Sequence, residues 1–474
     1  MKRLVALALL LLALQAKAQD ARFFERYFTG ETMRLDYFHT GTKGEERLSL
    51  DQVYEEGPWS GSRVNLLDTL NLGEYIVRVF DIRTNAIIFS RGFSSMFNEW
   101  QTTDEAATGV VRSFSATVRF PFPRGAVQVE FARRDRRMVF HTLASMTIDP
   151  TVHGSVTREP HQRQFPVVTL TENGDPAEKV DILILGDGYT KGEMEKFVKD
   201  AKHLNEVMFS TSPFKERKRD FNVRAIEVES GDSGIDVPDR EIWRNNALGC
   251  RYSTFGLARY VLTTENRTLR DIAGTVPYDF LCILVNDTRY GGGGIYNLYA
   301  TTYTKEQVKG AEWQSDYMYV HEFGHSFAGL GDEYYTSTTA YNDFYPAGIE
   351  PWEPNLTALD SGGEPKWKGM VSPGIAIPTP WEKARYDSIE AVRAKMDRLA
   401  PDYYEKSGPL RKAAGEVLKD PRFAGKVGAF EGAGYVAKGL YRPSIDCRMF
   451  SLSLAGFDPV CDAALRRMID FYSR

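Results

Sequence analysis

The chain has 474 residues, 26% of them charged, with a formal charge of −5 and a pI near 5.9. That balance gives no global basic field to draw in nucleic acid or anionic lipid. The length exceeds what a single hydrophobic core serves, so two domains are expected. At the start, Lys2 and Arg3 precede an unbroken apolar run over 4–14, and Ala16-Lys17-Ala18 fits the A-x-A processing rule. Residues 1–18 therefore read as a signal peptide cut near Ala18, which makes this an exported protein. The run is too short to span a bilayer, and no later stretch is long enough, so no membrane span is expected. No Cys follows the cut, which argues against a lipid anchor.

Residues 19–152 have the texture of a β-sandwich. Short apolar-aromatic runs at 74–81, 86–90, 113–120, 127–131 and 138–144 alternate with turn residues, and seven to nine strands are expected. The basic run Arg133-Arg134-Asp135-Arg136-Arg137 reads as a solvated hairpin tip. Residues 153–164 are polar and aperiodic, an interdomain linker in which His153 and His161 are solvated.

From 165 onward the texture changes. A buried strand at 180–185, a helix over 193–208 and a second strand at 222–228 imply an α/β half with a partly parallel sheet. Gly186-Asp187-Gly188-Tyr189 misses the spacing of a nucleotide loop and reads as a tight strand-to-helix turn. The loop after it supplies Asp232, Asp236 and Asp239, either a Ca2+ site or an oxygen-rich turn that solvates itself. After a third strand at 278–287, Gly291, Gly292, Gly293 and Gly294 follow in succession. Four glycines imply close approach, and they are candidates for the rim of a substrate cleft whose edge an extended peptide could join.

The most informative string is His321-Glu322-Phe323-Gly324-His325, in a chain with only seven histidines. On a helix, positions four apart share a face, so both imidazoles can aim at one metal ion, with Glu322 beside them as general base. Ser315 or Asp316 caps the predicted helix, which ends at Gly329. A catalytic Zn2+ needs a third protein ligand and an open corner for water. No His follows His325, so that ligand is a carboxylate. In the HExxHxxGxxH pattern the third ligand lies three residues beyond the turning glycine; counted from Gly329 that is Asp332. Glu333 and a more distant Glu are the alternatives. Downstream, Met449 is a candidate for a Met-containing turn beneath the metal. Cys250, Cys282, Cys447 and Cys461 pair as 447–461 and 250–282, or remain four buried thiols.

The string His321-Glu-Phe-Gly-His-Ser-Phe-Ala-Gly-Leu-Gly-Asp-Glu-Tyr334 resembles the IgA-peptidase family of secreted bacterial zinc metallopeptidases, as do Gly186-Asp-Gly-Tyr-Thr190, Ser233-Gly-Ile-Asp236 and Cys447-Arg-Met449. The resemblance covers 165–474, and more loosely the β-rich region before it. It implies an α/β (α+β) metzincin-like zinc peptidase domain preceded by an all-β sandwich accessory domain. It also implies one zinc held by His321, His325 and Asp332, Glu322 as base, and a protein or peptide substrate. Position 331, where ordinary metzincins carry their third His, is Gly, and no Tyr follows Met449 closely. Tyr334, Tyr335 and Tyr441 are then the candidates for stabilising the oxyanion. Two other readings stay open at this point: a zinc hydrolase of a non-peptide amide, and a binding protein with a structural metal site.

Overall fold

The computed structural model describes residues 21–158, 165–304, 313–337, 344–396, 403–452 and 455–473. The N-terminal region runs α1 (Ala21–Tyr27), β1 (Phe28–Thr42), β2 (Glu45–Pro58), β3 (Tyr75–Asp81), β4 (Ala86–Phe93), α2 (Met96–Gln101), α3 (Asp104–Ala107), β5 (Arg112–Pro123), β6 (Val127–Arg134) and β7 (Phe140–Ile148). These strands form two antiparallel sheets, ordered β2-β1-β5 and β4-β3-β6-β7. Alternate residues point one way along a strand. Leu35 and Tyr37 of β1, Val118 and Phe120 of β5, Val77 and Val79 of β3 and Phe131 of β6 thus meet in one core between the sheets.

The hairpin β1–β2 does not stand out in the sequence because its second face is polar yet covered. Arg34 and Asp36 are fully buried. Arg34 grips Asp36 through Nε at 2.9 Å and reaches Asp271 at 2.7 Å, and Arg119 bonds Glu56 at 3.0 Å and the Tyr278 carbonyl at 2.8 Å. Neither Arg133 nor Arg134 is a solvated tip residue. Arg133 holds Glu46 at 2.6 Å and Glu74 at 3.1 Å, while Arg134 is buried against the carbonyls of Gly73 and Asn71. The turn itself is 135–137. The chain after β7 still clings to β2, with Thr157 bonding the backbone of Val53 and Glu55. His153 is exposed, and His161 lies outside the described residues.

The second region comprises β8 (Val167–Thr171), β9 (Val180–Asp187), α4 (Met194–Met208), β10 (Phe221–Ile226), α5 (Asn266–Ala273), β11 (Phe280–Val285), β12 (Gly292–Ile295), β13 (Tyr299–Tyr303), α6 (Trp313–Ala328), α7 (Lys383–Arg393), α8 (Tyr403–Leu418), β14 (Phe430–Ala433), β15 (Val436–Arg442) and α9 (Pro459–Tyr472). Its main sheet is ordered β12-β13-β11-β9-β10-β8, parallel at the centre with an antiparallel strand at each edge. Strands β9 and β11 are buried throughout, as their continuous Ile-Leu-Val runs require of central parallel strands. One face packs on α4, α6 and α9 through Phe197, Phe323, Phe327 and Leu465. The other packs on α5, and here the N-terminal region contributes Phe97 and Trp100 of α2 to the same core. The fold is thus mixed α/β with several sheets, preceded by a β-rich region. Among the described residues no helix is long and apolar enough to cross a membrane.

Three local expectations change. Helix α6 is already formed at Trp313, so Asp316 is no cap but a first-turn residue bonded to His203 at 2.7 Å. Cys282 faces the α6 side of the sheet and Cys250 packs on the opposite side, so these two cannot pair. Asp232, Asp236 and Asp239 do not converge into a calcium cage. They are bonded instead to the Asn245 amide at 2.7 Å, to the Arg244 amide at 2.7 Å and to the Arg289 guanidinium at 2.8 and 2.9 Å. The turn after β9 is structural as well, since buried Asp187 accepts the amides of Leu248 at 3.0 Å and Cys250 at 2.9 Å.

Where the two regions meet, burial and the nearby Asp181 carboxylate push the Asp279 carboxyl up to about 8. A raised folded pKa means the folded state holds a proton that the unfolded chain has released. The associated stability is complete below the ordinary Asp range and is lost as pH climbs towards 8. Asp279→Asn is expected to flatten the decline of thermal stability between pH 5 and 8, a relative gain of about 1–3 kcal/mol at pH 8. Identical pH profiles for the two proteins would remove Asp279 from this role.

Candidate metal centre

Helix α6 lies almost wholly buried between the β12–β13 edge and α9, which accounts for its apolar faces. Strand β12 runs directly against it, and this is why the glycines are there. A Cβ on Gly294 would sit 2.3 Å from the Glu322 carbonyl oxygen, and one on Gly292 would sit 2.8 Å from that of Thr301. On the other face, Gly291 and Gly293 meet the rings of Tyr252 and Tyr260, each at 2.6 Å. Gly292 is not a free edge. Its amide donates to Arg259 O and its carbonyl accepts from Val261 N, both at 3.1 Å. Gly294, two residues on, points its backbone the same way and lines the open cleft.

His321 and His325, one turn apart, bring their Nε2 atoms to 3.1 Å from each other. Asp332 Oδ1 completes the triangle at 3.1 and 3.2 Å from them. The Nδ1 side of each ring fixes its tautomer: His321 donates to the Arg448 carbonyl at 3.1 Å and His325 to that of Leu330 at 2.5 Å. Both Nε2 atoms therefore present lone pairs to a carboxylate oxygen, and Asp332 Oδ1, buried, finds no hydrogen-bond donor. Its partner Oδ2 accepts from Tyr435 at 2.6 Å. Around a tetrahedral ion with bonds of about 2.0–2.1 Å, donor atoms stand about 3.3 Å apart. The observed edges are close to that, so these three residues fit a divalent metal ion.

The turn that delivers Asp332 is a left-handed cap. Gly329 has φ +60°, and its amide closes on the His325 carbonyl at 3.0 Å. Gly324 leaves room on the buried side of the helix for Met449, whose sulfur would lie 3.3 Å from a Cβ there. Met449 O accepts the Glu333 amide at 2.9 Å. Glu333 itself turns away from the triangle; its carboxylate is bonded by Asn355 at 2.9 Å on the opposite side of the chain.

Glu322 is buried, and its carboxyl is raised chiefly by burial, in opposition to the two histidines. It borders two cavities that flank the triangle. One is walled by Gly294, Tyr345 and Tyr435, the other by Tyr317, Glu390 and Arg411. Arg259 and Tyr334 border both, and Arg259 Nη2 donates to the Tyr334 hydroxyl at 3.3 Å. The first cavity is also lined by Asn98 and Glu99 of α2, so the N-terminal region forms part of the cleft. Tyr335 points elsewhere, to Asp387 at 2.6 Å, and Tyr441, on β15 and backbone-paired with Thr357, lines neither cavity. Arg259, Tyr435 and α2 escaped the sequence reading because each reaches the site from far along the chain, with no pattern to mark it.

Comparison with known proteins puts the chain among the peptidases, hydrolases of peptide bonds. It belongs to the family described as IgA Peptidase M64, whose profile matches residues 168–469, and the profile described as Peptidase M64 N-terminus matches 23–145. No curated protein matches the chain. Membership agrees with the resemblance drawn from the motif and replaces the readings of a non-peptide amide hydrolase or a binding protein.

Close contact between β12 and α6 yields a direct test. Gly294→Ala is expected to force strand and helix apart, costing about 1–3 kcal/mol in urea unfolding and lowering peptide hydrolysis with it. Unchanged stability would mean that the strand does not rest on the helix.

Proposed function

We propose that the protein is an exported, zinc-dependent endopeptidase of metzincin-like architecture. In this reading His321, His325 and Asp332 hold one zinc ion and Glu322 is the general base. The observation that carries it is the triangle of two imidazole Nε2 atoms and one carboxylate oxygen, bordered by Glu322, which lines both cavities. The αL turn at Gly329 and the Met449 turn beneath the helix support the metzincin-like part. The leader-like residues 1–18 support export. Residues 19–152 are assigned as accessory and 165–474 as catalytic, with α2 lending its side chains to the cleft.

Zinc, when bound, lowers the pKa of a water molecule and polarises the scissile carbonyl. Glu322 takes the proton from that water and passes it to the departing amine. Burial raises its pKa, which strengthens it as a base for that proton. Arg259 and Tyr334, facing both cavities, are placed to meet the negative charge that grows on the carbonyl oxygen. An extended substrate segment would lie across the site beside Gly294, filling one cavity on each side of the cut bond. The substrate class is protein or peptide.

Glu322→Gln is expected to retain zinc by elemental analysis while turnover of an unfolded protein substrate falls about 10²–10⁴-fold. Retained turnover would take Glu322 out of the mechanism. Asp332→Ala should release the catalytic zinc; a variant that keeps its full metal content and activity would show that another group supplies the third bond.

A further inference from the structure

Behind the catalytic triangle, on the side to which Glu333 turns, four more potential ligands meet: Glu333, Cys447, Asp458 and Cys461. They are buried, at 0%, 0%, 5% and 0% exposure respectively. The two sulfurs are 3.8 Å apart; Cys461 Sγ lies 3.3 Å from Glu333 Oε1 and 3.6 Å from Asp458 Oδ2. We propose that these four residues form a second, closed metal site for one zinc-type ion, structural in role and separate from the catalytic centre.

Donor geometry is the first argument. A tetrahedral ion with Zn–S bonds of about 2.3 Å and Zn–O bonds of about 2.0 Å spaces two sulfurs about 3.8 Å apart and a sulfur and an oxygen about 3.5 Å apart. The sulfur–sulfur separation of 3.8 Å equals the first value, and the sulfur–oxygen separations of 3.3 and 3.6 Å bracket the second. The second argument is the direction of the hydrogen bonds. Cys447 Sγ accepts from the amides of Met449 at 3.5 Å and Asp458 at 3.4 Å, as a metal thiolate does. Asp458 Oδ1 is occupied in capping α9, with Val460 N at 2.7 Å and Cys461 N at 2.9 Å, which leaves Oδ2 for the cluster. Glu333 Oε2 is buried without a hydrogen-bond partner. A cation at the centre would satisfy two buried carboxylates and two sulfurs at once, in place of the thiol protons that otherwise join them.

A disulfide is the competing arrangement. It requires sulfurs about 2.05 Å apart. It would also consume both sulfurs while leaving two adjacent buried carboxylates to the field of Arg442. All four corners are protein donors, with none left open for water, so the site fits structure and not catalysis. Its place in the chain supplies the purpose. Glu333 follows Asp332, Cys447 precedes Met449 by two residues, and Asp458 and Cys461 begin α9. One ion would clamp the Asp332 turn, the Met449 turn and the C-terminal helix together.

The test is metal content and cobalt spectroscopy on the full chain. Zinc-loaded, gel-filtered protein is expected to carry about two ions per chain. His321→Ala/His325→Ala should keep about one, resistant to chelator, and Cys447→Ser/Cys461→Ser should keep about one, easily stripped. With Co2+ as the probe, the wild type and the histidine variant should show a thiolate-to-cobalt charge-transfer band that the cysteine variant lacks. If the cysteine variant fails to fold, the wild type and the histidine variant still decide the matter. No such band in protein with four titratable thiols, or an unreduced mass two hydrogens light, would overturn the proposal. The band does not depend on the histidine pair, so failure of this site and failure of the catalytic reading are distinguishable.

Discussion

The structure turns on a repulsion. Two imidazole nitrogens and a carboxylate oxygen are held 3.1–3.2 Å apart, with their hydrogen-bond donors directed elsewhere. Electron-rich atoms at that spacing, away from water, oppose the fold unless a positive charge sits among them. The fold opposes their separation with one fixed element per atom. The Met449 turn, through Arg448 O, orients His321; the Leu330 carbonyl orients His325; Tyr435 on the β14–β15 hairpin loop anchors Asp332. Each anchor is a hydrogen bond to an atom that does not face the centre. The protein's own hydrogen bonds therefore set the geometry, as a preorganised ligand set requires.

What could be read beforehand follows a physical boundary. Periodicity exposed α4 and the central strands β9 and β11, and the spacing of His321, His325 and Gly329 exposed the helix and its turn, because these are local relations. Contacts between distant segments were invisible. Arg259 arrives from a loop with no motif, and Tyr435 bonds Asp332 across 103 residues. The β1–β2 hairpin was missed for a different reason: its covered face carries Arg34 and Asp36, so hydropathy alternation fails where burial is paired with charge. The cysteines were legible in part: the short spacing pairs Cys447 with Cys461, which are adjacent but not bridged. A separation of 14 residues resembles no metal motif, yet the fold brings Cys447 and Cys461 to 3.8 Å.

The glycine run shows how one composition serves two ends. Alternate members admit the tyrosine rings on one side and the helix backbone on the other, so the strand is thinned on both faces. That brings the cleft edge to the level of Glu322. The opposite wall comes partly from α2, whose Phe97 and Trp100 are embedded in the main-sheet core while Asn98 and Glu99 face the cavity. The region matched by the N-terminal profile and the region matched by the peptidase profile therefore build a single cleft.

The bond from His321 to the Arg448 carbonyl joins positions 127 residues apart. A ribosome releases the helix with its two imidazoles long before the segment that orients the first of them. Until that segment docks, the ring is free to turn, and the apparatus for cutting peptide bonds lacks its working alignment. Alignment of that ring therefore waits on a contact of long sequence separation, among the last that the growing chain can make.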